Sequence, residues 1–154
     1  MIGLDTMVLI AHELTEAPLH RQVRNHIALL CRERGTRFGM SPQILQEFLH
    51  VATDPRRFQH PLTMEQALSR ANFWWEASEV VHCHITDKAW HYSVSWMEKY
   101  SLGRKRILDT TLAATYHDHG VQTLATTNPS DFAVFGLFQF ESWAVTLEPV
   151  ETDL

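Results

Sequence analysis

Four acidic residues are candidates for chemistry, three of them set in apolar stretches and one in a loop. Asp5 ends the run Met1–Leu4 and is followed by Thr6. Glu47 lies inside "PQILQEFLHVAT", Asp109 inside "RILDTTLAATYHDHG", and Asp131 just after "TLATTNPS". A carboxylate buried among apolar residues must be paired, protonated or bound to a metal. Each of the first three also has a plainer reading. Asp5 before Thr6 could simply cap a helix. At about 100° per residue, Glu47 falls on the border of an apolar arc formed by Ile44, Leu45, Phe48, Leu49, Val51 and Ala52, so it could be a solvated helix acid. Asp109 shares a face with Leu112, Ala113 and Tyr116 on a helix that reads as buried, and Arg104, Lys105 or Arg106 could pair with it.

Alternating strands and helices must position these acids. "MIGL", "TRFGM", "VVHCHI", "VQTLATT" and "LFQFESWAV" read as strands. Helices are predicted over "TMVLIAHEL", over "LHRQVRNHIALLCRERG" with its stop at Gly35, and over "SPQILQEFLHVAT" with Ser41 as cap and Pro42 in the first turn. "TMEQALSRANFWWEAS" follows, with Thr63 and Gln66 in capping-box spacing. "TDKAWHYSVSWMEKY" and "RILDTTLAATYHDHG" are the last predicted helices. "TDPRRFQHP" reads as a loop, as does the stretch holding Asn128 and Asp131. This alternation predicts an α/β fold in one domain spanning residues 1–154, with a central, mostly parallel β-sheet flanked by helices. In such sheets ligands lie beyond the carboxyl ends of the strands, where Asp5, Asn128 and Asp131 fall.

In this order, "IGLDTMVLI", "SPQILQEFLHVAT", "RILDTTLAATYHDHG" and "TLATTNPSDFAVFG" resemble a PIN domain of the VapC type, the toxin half of bacterial toxin–antitoxin pairs. The resemblance implies that Asp5, Glu47, Asp109 and Asp131 form one catalytic cluster. Asn128 stands where many relatives carry Asp; its amide can orient a water or a phosphate but adds no charge. Crowded carboxylates need a cation between them. Oxygen donors suit Mg²⁺, or Mn²⁺ in its place, with Asp5 and Asp109 as the direct ligands. The implied reaction is hydrolysis of cellular RNA, of the tRNA or ribosomal class. The implied partners are a cognate antitoxin and a second copy of the chain in a homodimer. Thr6 is expected to hydrogen-bond in the site, whereas Thr110 reads as helix packing.

The rest of the chain narrows the alternatives. With 13 Lys and Arg against 18 Asp and Glu, the net charge of −5 is wrong for a general nucleic-acid binder. Any grip on RNA must be local, and Arg104 and Arg106 in "GRKR" or Arg56 and Arg57 in "DPRR" could supply it. Two cysteines are too few for a disulfide framework, and no apolar run is long enough to span a membrane, so a cytoplasmic protein is expected. His82 and His84 would share one strand face with Cys83 opposite, a poor arrangement for structural zinc. Phe73, Trp74 and Trp75 cannot all face inward from one helix, and an exposed member would suit a protein interface. Two other functions compete with the nuclease. One is a PIN-fold interaction module weakened by Asn128. The other is a Mg²⁺-dependent phosphatase with Asp5 as nucleophile, which leaves Glu47 unexplained and lacks a second Asp at position 7, where Met7 stands.

Overall fold

The computed structural model describes residues 1–33 and 35–143. Strands β1 (Ile2–Leu4), β2 (Phe38–Met40), β3 (Val80–His82), β4 (Thr123–Ala125) and β5 (Gln139–Phe140) form one sheet in the order β3-β2-β1-β4-β5. Every neighbouring pair is parallel, and Leu4 lies opposite Ala125 in the register of β1 and β4. A parallel sheet must be covered on both faces. Accordingly Leu4, Phe38, Met40, Leu124 and Ala125 are buried.

Around the sheet lie α1 (Thr6–Glu13), α2 (His20–Arg32), α3 (Pro42–Ala52), α4 (Met64–Trp75), α5 (Asp87–Lys99), α6 (Ile107–Asp118) and the short α7 (Ser130–Ala133). Helix α1 packs on α2 and α3, α3 packs on α4, and α5 packs on α6. Right-handed crossovers place α1–α4 on one face and α5–α6 on the other, because the chain steps outward from β1 to β3 and then returns to β4. Local signals start the helices as predicted. Ser41 accepts from Gln43 N–H at 3.4 Å, and Thr63 and Gln66 form a reciprocal capping box.

Helix α6 is pressed closely against β1. A methyl group on Gly3 would come within 2.8 Å of the Tyr116 ring, so only glycine fits beneath it. The Tyr116 hydroxyl lies 2.5 Å from the Leu4 carbonyl and 3.0 Å from that of Gly39, sharing its proton between the ends of β1 and β2.

Several boundaries differ from the sequence reading. Helix α2 stops at Arg32, before Gly35. Strand β3 ends at His82, so His84 lies beyond it. Residues Arg104–Arg106 form a 3-10 turn ahead of α6, and Asp131 sits in the first turn of α7 rather than in a loop. The first turn of α6 is not buried all round, for Ile107 and Leu108 are exposed. The last strand is shorter than "LFQFESWAV", whose Ala144 and Val145 lie outside the described residues.

Candidate active site

Strand β1 sits where the sheet order changes direction, with β2 on one side and β4 on the other. A crevice opens at such a switch point, beyond the carboxyl ends of the strands. Asp5 is the first residue past β1 and Thr126 the first past β4. The Asp5 N–H donates to the Ala125 carbonyl at 3.0 Å, and Thr126 Oγ1 donates to Asp5 Oδ2 at 2.7 Å. Asp5 precedes α1, yet its carboxylate makes no capping hydrogen bond, so helix capping does not account for it.

The other acids come from the helices around this crevice. Thr6, buried at the start of α1, donates to Glu47 Oε2 at 2.7 Å. Glu47 therefore turns inward from the border of α3 rather than out to water. Asp109 sits in the first turn of α6, and Arg106 is the basic residue beside it, with Nε 3.6 Å from Asp109 Oδ2. Arg106 Nη1 donates to Asp131 Oδ1 at 3.2 Å, and Nη2 donates to the Asp131 carbonyl. The Asn128 amide donates to the other Asp131 carboxylate oxygen. Asn128 is itself fixed by Ser130, which donates to Oδ1 at 2.7 Å, and by its own N–H on Thr126 Oγ1 at 3.1 Å.

Electrostatics bind these acids into one cluster. Burial, then the charges of Asp109 and Glu47, push the Asp5 carboxyl up to about 6, against the pull of the Thr126 hydrogen bond. Burial and the charge of Asp131 raise Asp109 to about 6 as well; Arg106 opposes this and Glu47 adds to it. Carboxyls raised this way in a cleft mark a candidate functional site.

The donor set fits a hard divalent cation. Its oxygens are carboxylates, and both the burial and the mutual repulsion that raise Asp5 and Asp109 are offset by a cation beside them. Among the described residues no three Asp, Glu, His or Cys side chains stand close enough to form a finished metal cage. Mg²⁺ asks for less, since one or two protein carboxylates suffice when waters and phosphate complete its shell.

The remaining candidates separate clearly. Thr110 is fully buried and its hydroxyl has no hydrogen-bond partner, which fits helix packing. Arg104 is exposed in the turn before α6. Arg56 forks onto Asp54 with both contacts at 3.0 Å, and Arg57 lies 3.8 Å from it, past the end of α3 remote from the crevice. The His82 ring stacks on Trp75 at 3.5 Å, with the His84 ring 6.4 Å from it at a steep angle. Sequence reasoning missed two supports. Thr126 was visible only as part of "TTN". Trp143, which donates to the Thr126 carbonyl at 2.8 Å, had no local signal.

Fold and site together define an α/β domain with an acidic, cation-fitting crevice at its switch point. The chain belongs to the PIN domain family, whose profile matches residues 2–135. Among curated protein sequences none matches. Solved structures share the fold. A Mycobacterium tuberculosis toxin described as cleaving the sarcin–ricin loop, VapC20, is 17% identical over 87% of this chain and 95% of its own, with a TM-score of 0.67. VapBC2 from Rickettsia felis, bound to a DNA fragment from its promoter, is 20% identical over 94% of this chain and 100% of its own, with a TM-score of 0.64. A toxin–antitoxin complex from Klebsiella pneumoniae is 18% identical over 94% and 98%, with a TM-score of 0.60.

Proposed function

We propose that this protein is a divalent-cation-dependent endoribonuclease and the toxin of a toxin–antitoxin pair. The observation that carries the reading is the convergence at the β1–β4 switch point of Asp5, just past β1, with Glu47 held inward by Thr6 and with Asp109 and Asp131 bridged by Arg106. Asp5 and Asp109 would hold Mg²⁺, or Mn²⁺ in its place. When bound, such an ion polarises a phosphodiester and stabilises the leaving oxygen. The chain does the positioning. Thr126 fixes one oxygen of Asp5, and Thr6 aims Glu47 inward. Glu47 and Asp131 orient water around the scissile phosphate, while the Asn128 amide holds Asp131 in place. Arg104, exposed beside the crevice, is available to a phosphate of the RNA.

Similarity to a toxin that cleaves an RNA loop and to a toxin–antitoxin complex supports RNA as substrate class and an antitoxin as partner. A groove of about 750 Å³ lies open between α2 and α4, with Phe73 and Trp74 among its lining residues. Phe73 is 73% exposed, an apolar side chain awaiting cover. A second copy would cover the exposed apolar side chains of α5 and α6. Among the described residues no helix is long and apolar enough to cross a membrane, and a cytoplasmic setting fits a toxin acting on cellular RNA.

The test is direct. Purified protein is incubated with total cellular RNA and Mg²⁺ or Mn²⁺, with and without chelator, beside Asp109→Ala. Cleavage that needs the cation and Asp109 is expected. Cleavage that survives chelation, or survives the substitution, would sink the mechanism. RNA left intact by folded protein under every condition would point instead to a binding module.

A further inference from the structure

The cation-site reading leaves one charged side chain in the crevice without a job. Arg106 Nη1 and Nη2 both engage Asp131, while Nε faces Asp109 Oδ2 at 3.6 Å. That separation is too long for a hydrogen bond, and Nε is buried with no other partner. The guanidinium is thus anchored firmly at Asp131 and only loosely at Asp109. It stands in the 3-10 turn directly before α6, three residues ahead of Asp109, so the backbone holds it there. Unlike a histidine or a lysine, it does not shed its charge when desolvated. A fixed positive charge therefore already occupies the space between two of the four acids.

We propose that Arg106 is a built-in counter-cation that competes with a divalent ion for Asp109, so that it sets how much ion the site needs. This rests on the proposed reading of Asp5 and Asp109 as cation ligands. An ion approaching Asp109 meets the guanidinium at short range, and the two positive charges repel. The loose contact gives way first. Arg106 swings off Asp109 while it stays on Asp131, because Nη1 and Nη2 both hydrogen-bond Asp131 whereas Nε makes no hydrogen bond to Asp109. The freed Nε then faces the crevice, where an incoming phosphate oxygen satisfies it.

The experiment uses the full chain and Mn²⁺ alone, titrated by calorimetry without RNA. Arg106→Gln removes the charge and is expected to bind Mn²⁺ about tenfold more tightly than the unaltered protein. Arg106→Met, which keeps the stem without the charge, gives a second measure of the same quantity should the first variant fold poorly. Arg106→Lys keeps the charge and is expected to bind like the unaltered protein. Equal or weaker Mn²⁺ affinity in the uncharged variants overturns the proposal. So does Arg106→Lys binding as tightly as they do. If no version binds Mn²⁺ in a way that Asp109→Asn abolishes, the cation-site reading has itself failed, and the role of Arg106 falls with it.

Discussion

Asp5 carries a charge that its surroundings oppose. Burial and its acidic neighbours lift its carboxyl from 3.8 to about 6. Between those values the folded chain binds more protons than the unfolded one, so stability falls as pH rises from about 4 to about 6. Above about 6 the penalty is fully present. Asp109 acts in the same window and the same direction, more weakly because about a third of its side chain is exposed. Asp5→Asn is therefore expected to raise the thermal midpoint at pH 7.5 without metal by a few degrees, while abolishing RNA cleavage. Calorimetry at pH 5 and pH 7.5 checks this, since the gain should shrink at the lower pH. Added Mg²⁺ should stabilise the unaltered protein at pH 7.5 and not the variant. Thr126→Val removes the hydrogen bond that opposes the upward shift of Asp5, so the acid limb of the cleavage pH profile should move to higher pH. Asp5 and Asp109 were legible in the sequence because each breaks an apolar run, whereas Glu47 and Asp131 needed the order of the motifs. The hydroxyl that holds Asp5 was not legible, because Thr126 lies 121 positions away and only the parallel pairing of β1 with β4 brings it near.

Element boundaries follow the strength of local signals. Helices α3 and α4 begin where their capping residues say they do, since Ser41 and Thr63 each satisfy a backbone donor that would otherwise lack a partner. Helix α2 ends at Arg32, where its apolar spacing gives way to the charged Arg32, Glu33 and Arg34, and strand β3 stops at His82 because its neighbour β2 ends at Met40. Helix α7 is four residues long, too short for any periodic pattern to announce it. Tertiary packing decides such cases. Gly3 shows the same dependence, for nothing in "MIGL" announces the Tyr116 ring that α6 lays against it. Gly3→Ala should destabilise the fold by about 1–3 kcal/mol, because the added methyl must displace Tyr116 and Leu124 side chains from a packed interior. Urea unfolding followed by tryptophan fluorescence measures it. A neutral result would mean that the Tyr116 ring can shift without losing its hold on the Leu4 and Gly39 carbonyls. Glu13 binds two elements differently. Burial opposes its charge, but hydrogen bonds with His12, Trp74 and Arg70 prevail and bring it down to about 2. Its contribution is present above 4.5 and is lost as pH falls toward 2, a window separate from that of Asp5.

At the scale of the whole molecule, among the described residues both α5 and α6 carry exposed apolar side chains, and this bears on assembly. Helices α5 and α6 run antiparallel. Thr86 bonds Asp118 at 2.6 Å at one end, and Ser93 lies 3.1 Å from Thr111 near the other. That pairing sets Val94 of α5 beside the first turn of α6, where Ile107 and Leu108 are half exposed, and Trp90 lies one turn away. Water-facing apolar groups on two packed helices mark a surface that gains from being covered. A second copy of the chain can cover it by two-fold symmetry, each copy presenting the same helices to the other. Val94→Glu places a charge in the middle of this surface at a side chain that is 41% exposed, without touching the core. In light scattering the unaltered chain is expected at twice the chain mass and the variant at the chain mass, with an unchanged circular dichroism spectrum. A variant that stays paired, or an unaltered chain that is already single at micromolar concentration, would assign this surface to some other partner and leave the crevice to work alone.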